Sequence, residues 1–238
     1  MLSKHLTSLS RKVVVYVKQN RKFSTYGQHE EGNGLVKSIL LLNVLVTGAW
    51  YSSAASGSPS ISFMNNHFTL STYGFFHKHN YHTLVTAVFS HIDPIHLAFN
   101  SFVLYSFGTN VIHALGKARF AFLYLGGGIV SSLAYVVWPY VIPKSWPAYH
   151  LHRDEPGVGA SGAINSLVIW SVLRWPTSMF YFFGVIPVPA FVAGLGLVAV
   201  DAFGLYEGST NKVGNIAHLG GAAFGAVCFL ASKRFRRF

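Results

Sequence analysis

Gly157-Val158-Gly159-Ala160-Ser161-Gly162-Ala163-Ile164-Asn165-Ser166-Leu167-Val168-Ile169-Trp170 is the stretch that decides how this chain reads. A polar loop turns here into an apolar helix, with a serine about one turn inside and small residues on both sides. A second stretch answers it: Asn215-Ile216-Ala217-His218-Leu219-Gly220-Gly221 opens the last apolar segment. A serine and a histidine, each set among glycines one turn into an apolar helix, are placed as a nucleophile and a base inside a bilayer. Glycine and serine also crowd together wherever membrane helices pack closely. The catalytic reading therefore depends on the rest of the chain converging on these two places.

Composition sets the class. Of 238 residues, 51% are hydrophobic and only 11% charged, with a mean hydropathy of +0.40. A soluble domain carries about 25% charged residues. An integral membrane protein is expected. The single cysteine, Cys228, excludes an internal disulfide framework and a Cys-based metal site. The seven acidic residues form no H-e-x-x-H pattern, so a zinc-type membrane protease has no support, and no metal or cofactor is expected. Phe75-Phe76-His77-Lys78-His79 with His82 reads as an interfacial loop with aromatic anchors rather than a metal cluster.

The net charge of +11 reads piecewise, not as a nucleic-acid surface. Residues 1–23 hold six of the 18 basic residues and no acid, interleaved with serine and apolar residues. That is the pattern of a mitochondrial transit peptide. Arg21-Lys22-Phe23-Ser24 fits a matrix-peptidase cut before Ser24. Its removal leaves 12 basic against 7 acidic residues, a net +5. Residues 24–35 then read as a linker, 36–232 as one membrane domain, and 233–238 as a basic tail facing anionic lipid.

Six apolar segments are predicted: Val36–Ala55, Pro94–Leu115, Phe120–Ile142, Gly157–Trp175, Val188–Leu205 and Gly214–Ser232. Each approaches the roughly 17–25 residues that cross the hydrocarbon. With no period-two alternation to suggest a barrel, an all-α bundle of six transmembrane helices is expected. Eight cationic residues of the processed chain fall on the side of the termini and four on the other. The termini are therefore inside, in a mitochondrion the matrix, with the opposite face in the intermembrane space.

Polar residues gather near that opposite face. Asp93-Pro94 is a strong helix start, because Asp caps and Pro fits the first helical position. His96 and Asn100 follow four residues apart on one face. By helix rise they lie about 3 and 9 Å below the start, and Ser161 and His218 about 6 Å below theirs. Segments two, four and six all begin on the same side, so four polar side chains share one depth. His218 is the base that can take the Ser161 proton. The Ser161 backbone N–H, His96 and Asn100 are candidate oxyanion donors. Asp201 stands about one turn from that face in the fifth segment but is as easily interfacial, as is Glu207; with no acid obviously placed to orient His218, a Ser–His dyad is expected, not a triad. Gly159, Gly162, Gly220 and Gly221 smooth the fourth and sixth helices, letting Ser161 and His218 approach.

Four stretches, in this order, carry a resemblance: His82-Thr83-Leu84-Val85-Thr86-Ala87-Val88-Phe89-Ser90-His91, His96-Leu97-Ala98-Phe99-Asn100, Gly159-Ala160-Ser161-Gly162-Ala163, and Ala217-His218-Leu219-Gly220-Gly221. Together they resemble the rhomboid intramembrane serine proteases, most of all the mitochondrial presenilin-associated rhomboid-like group, over about residues 70–230. The resemblance implies six core helices around a water-filled cavity, Ser161 as nucleophile, His218 as base, and His96 and Asn100 in the oxyanion site. It gives His91 a structural role. It also implies lateral substrate entry near the loop Phe63–His82 and the fifth helix, with Pro187 and Pro189 at its start. Many members carry Trp-Arg where Tyr81-His82 stand here.

Two functions compete. One is an endopeptidase of the mitochondrial inner membrane that cuts single-pass transmembrane proteins near the intermembrane-space end of their helices. The other is a catalytically silent rhomboid-like scaffold in membrane protein translocation or quality control. Both imply the lipid bilayer and transmembrane proteins as partners. Oligomeric state has no signature in the sequence.

Overall fold

The computed structural model describes residues 30–57, 59–143, 156–182, 185–207 and 213–235. The expected transit peptide, its Ser24 cut and the last residues of the basic tail lie outside them. The chain forms α1 (Glu30–Ser56), α2 (Ser60–Phe68), α3 (Thr72–Phe76), α4 (Thr83–Thr86), a 3-10 turn (Ala87–Phe89), α5 (Pro94–Leu115) and α6 (Lys117–Val141). Then come α7 (Ser161–Arg174), strands β1 (Met179–Phe182) and β2 (Ile186–Pro189), α8 (Ala190–Glu207) and α9 (Val213–Phe235).

The bundle is helical as expected. Among the described residues, three stretches are long and apolar enough to cross a membrane: Asn33–Ser56, Lys117–Val141 and Gly214–Ser232; Ala190–Tyr206 is apolar but shorter. The start of α5 forms as its sequence dictates: the Asp93 carboxylate accepts the Ile95 N–H at 2.9 Å, and Pro94 follows it. The axis of the bundle is α7, which packs on α9, α6 and α5. Nine of its fourteen residues are buried, so its neighbours, not lipid, surround it. Leu104, Phe120, Leu123, Ile164 and Leu167 form the centre of the core. In contrast α8 exposes Leu195, Val200 and Phe203 by 67%, 70% and 59%, the face of a peripheral helix.

Three features depart from the sequence reading. The fourth segment does not begin at Gly157: residues 157–160 are loop and Ser161 is the first residue of α7. Where no strand was expected, Met179–Phe182 and Ile186–Pro189 pair antiparallel, Met179 with Pro189 and Phe182 with Ile186. Strands of four residues are too short for a period-two signal, and a two-stranded ribbon, being all edge, tolerates Pro187 and Pro189. Those prolines therefore lie on β2, not in a helix. The stretch Phe63–His82, expected as a loop, lies within a string of short helices over residues 60–89. Trp50 anchors this string, its indole N–H donating to the Ser90 hydroxyl at 2.7 Å.

Candidate active site

The loop before Ser161 drops into the bundle instead of crossing its surface. Buried loop backbone needs partners, and the string of short helices supplies them. Gly157 exchanges two hydrogen bonds with Leu70, at 2.7 and 2.8 Å. The Gly159 N–H donates to the Ala87 carbonyl at 3.0 Å, and the Ala160 N–H to His91 Nε2 at 3.4 Å. Gly159 has φ +127°, a conformation that L side chains rarely adopt, and a Cβ there would sit 2.7 Å from His96 Cε1. This position requires glycine twice over, for its backbone and for the ring lying against it.

The descent explains how Ser161 reaches its depth. It starts its helix, whereas His218 stands five residues past Val213, about 7.5 Å in, and Asn100 six past Pro94, about 9 Å in. The four polar residues line one cavity. For Ser161 the glycine-rich loop provides that depth, not a turn of helix. As first residue of α7, Ser161 also keeps an N–H without an intrahelical partner, at the positive end of the helix dipole.

Small residues then close the distance. A Cβ on Gly162 would overlap the Ser131 hydroxyl of α6, and one on Gly225 the Ser166 carbonyl oxygen. A Cβ on Gly220 would sit 2.8 Å from Ala134 Cβ. With α6, α7 and α9 packed backbone to backbone in this way, Ser161 Oγ and His218 Nε2 stand 2.7 Å apart.

The other ring nitrogen of His218 corrects an expectation. Asp201 is not interfacial: it is 7% exposed, and its Oδ1 lies 2.9 Å from His218 Nδ1. Depth was the signal that could have found it. Asp201 stands six residues before the end of α8 and His218 five after the start of α9, in consecutive helices joined by a short connection.

Asn100, 4% exposed, donates through Nδ2 to His91 Nε2 at 3.0 Å. That nitrogen also receives the Ala160 N–H, so it is an acceptor and the ring is neutral, with its proton on Nδ1. Burial, helped by neighbouring His96, lowers the His91 pKa from 6.5 to about 4. His91 thus braces both Asn100 and the residue before Ser161, while the second Nδ2 hydrogen of Asn100 remains available.

Two cavities meet at Ser161, His96 and His218. One, of about 270 Å³, is bordered by Leu70, Tyr135, Gly157, Ser131 and Gly214. The other, of about 530 Å³, is mostly apolar and opens between α5 and α8 past Phe99, Val103, Val192 and Leu197, with Phe180 of β1 and Asp201 in its wall. Phe180 stacks on Phe107 at 4.6 Å between ring centroids. The stretch Phe63–His82, expected at the lateral entry, borders the first cavity through Leu70 and not the second. Of the histidines on that stretch, His82 bonds His67 at 2.9 Å and His79 bonds the Tyr81 hydroxyl at 2.8 Å.

A bundle with membrane-capable helices, built around a half-buried serine–histidine contact, is the class that fold and site define together. Comparison narrows it: residues 78–234 match the Rhomboid domain, and the chain belongs to the rhomboid family. It is 35% identical over 179 residues to RHOMBOID-like protein 12, mitochondrial, of Arabidopsis thaliana, covering 73% of this chain and 53% of that protein. It is 32% identical over 200 residues to Presenilin-associated rhomboid-like protein A, mitochondrial, of Danio rerio, covering 82% and 47%. The rat presenilin-associated rhomboid-like protein, also mitochondrial, is 32% identical over 145 residues, 60% of this chain and 36% of that protein. The chain spans about half the length of these relatives, or less.

Proposed function

We propose that this chain is an intramembrane serine endopeptidase of the mitochondrial inner membrane, cutting single-pass transmembrane proteins near the intermembrane-space end of their helices. The observation that carries the reading is the 2.7 Å contact between Ser161 Oγ and His218 Nε2, made by two helices whose glycines permit it. The mitochondrial names of the relatives and the basic leader of residues 1–23 support the location. In this reading α1, α5, α6, α7, α8 and α9 are the six crossings. Although α7 alone is only about 21 Å long, the loop that descends to it makes up the remaining depth.

The chemistry follows from the geometry. His218 Nε2 takes the hydroxyl proton as Ser161 Oγ attacks the substrate carbonyl carbon. The oxyanion receives hydrogen bonds from the Ser161 N–H, the free Asn100 amide hydrogen and His96. Collapse breaks the C–N bond, and His218 returns the proton to the leaving amine. Water, activated by the same nitrogen, then frees the acyl group. The apolar cavity between α5 and α8 suits the side chains of an unwinding transmembrane segment, and the smaller one offers room for water.

The test is cleavage of a model single-pass substrate in proteoliposomes by the wild type, Ser161→Ala and His218→Ala. Both variants should fold and lose cleavage. Turnover by folded Ser161→Ala would overturn the reading, and no turnover by any of the three would favour the scaffold.

A further inference from the structure

We infer that Asp201 is a positioning residue for His218, holding it in the tautomer that can accept the Ser161 proton and stabilising the charge it then acquires. The inference rests on the protease reading for its chemistry, but the contact itself does not. Asp201 is the one acidic residue between Ala190 and Tyr206 in an otherwise apolar helix. Burying a carboxylate at membrane depth costs several kcal/mol unless a donor meets it. The donor is His218 Nδ1–H, at 2.9 Å.

The consequence runs through the ring. A neutral imidazole carries one proton. With that proton on Nδ1 and directed at Asp201, Nε2 presents a lone pair to the Ser161 hydroxyl at 2.7 Å. The opposite tautomer would set a lone pair against the carboxylate, losing that hydrogen bond, and its Nε2–H would donate to the Ser161 oxygen, leaving no base for the hydroxyl proton. When the Ser161 proton arrives on Nε2, the imidazolium forms beside a fixed negative charge in a low-dielectric site, where that charge counts most. The proton stays on His218 and does not pass to the carboxylate.

Asp201→Asn keeps the size of the side chain and removes the charge, and Asp201→Glu keeps the charge. Full-length variants in proteoliposomes should fold like the wild type by thermal unfolding. Loss of the orienting carboxylate of a serine hydrolase costs on the order of 10⁴-fold in kcat; a fall of roughly 10²–10⁴-fold is expected for Asp201→Asn, with KM changed by less than about threefold and activity partly restored in Asp201→Glu. A residue that merely packs would not produce that split. Nitrogen-15 spectra of His218 supply an independent readout: Nδ1 protonated in the wild type, a mixed or reversed population in Asp201→Asn. Folded Asp201→Asn with near wild-type kcat, or with an unchanged His218 tautomer, would overturn the inference. If the wild type shows no Ser161-dependent cleavage, the protease reading fails, and the spectra still decide whether Asp201 sets the tautomer.

Discussion

Gly221 of α9 lies so close to Gly162 of α7 that a β-carbon on Gly221 would overlap the Gly162 carbonyl oxygen. The two helices that carry the histidine and the serine therefore touch backbone to backbone one residue from Ser161 and three from His218. No rotamer change relieves a clash with a carbonyl. Gly221→Ala should push the helices apart, lengthen the Ser161–His218 contact and destabilise by about 1–3 kcal/mol, as overpacking does. Gly48→Ala, where a Cβ meets nothing within 4 Å, is the matched control and should leave cleavage unchanged without lowering stability. Thermal unfolding and cleavage assays on the two variants check this.

Asn100→Ala should lower kcat by roughly 10²–10³-fold, the usual loss for one oxyanion donor, with little change in KM. Steady-state kinetics on a model substrate reads the split. An unchanged kcat would mean that the amide's bond to His91 is its whole role.

His91 should make the protein acid-sensitive. Its pKa in the folded protein is lowered to about 4 from 6.5, so the unfolded chain binds the proton first as pH falls. Stability is then fully present above about pH 6.5 and declines on acidification towards pH 4, by up to ~3 kcal/mol from this group. A protonated His91 would also present N–H to two donors, Asn100 Nδ2 and the Ala160 N–H. His91→Gln keeps an acceptor and cannot titrate. The unfolding midpoint measured from pH 4 to 8 should fall less steeply on the acid side in this variant than in the wild type.

Scission should fall near the end of the substrate helix that reaches Ser161 from the face where α5 and α9 begin. Both helices place their site residues within about 10 Å of their starts. Peptide bonds in a lipid-embedded helix are shielded, so Gly, Ser or Pro near the cut should speed cleavage by easing unwinding. Mass spectrometry of the products, with a substrate series of graded helix stability, checks both points.

Much of this was legible in the residues. Asp93-Pro94 announced the start of α5, and the order of the segments brought Asn100, Ser161 and His218 to one level. What escaped followed from contacts that a sequence does not display. The loop at residues 157–160 looked like the beginning of a helix because its residues are small and apolar; only its hydrogen bonds with Leu70 and to Ala87 and His91 show that it is held as a descending loop. The strands Met179–Phe182 and Ile186–Pro189 were too short for their alternation to register. Asp201 was visible as a charge in an apolar run, about one turn from the face near which His218 lies, but its partner is on the next helix, and a shared depth does not by itself show that the two side chains face each other.

Nucleophilicity at Ser161 can be read without any substrate. Incubation of the reconstituted full-length protein with an activity-based fluorophosphonate, followed by peptide mass spectrometry, reports which hydroxyl has been phosphonylated. The 2.7 Å contact with His218 predicts a single adduct on Ser161, absent from Ser161→Ala and strongly slowed in His218→Ala. An unlabelled wild-type Ser161 in folded protein, or labelling at an equal rate in His218→Ala, would contradict a serine activated by that histidine.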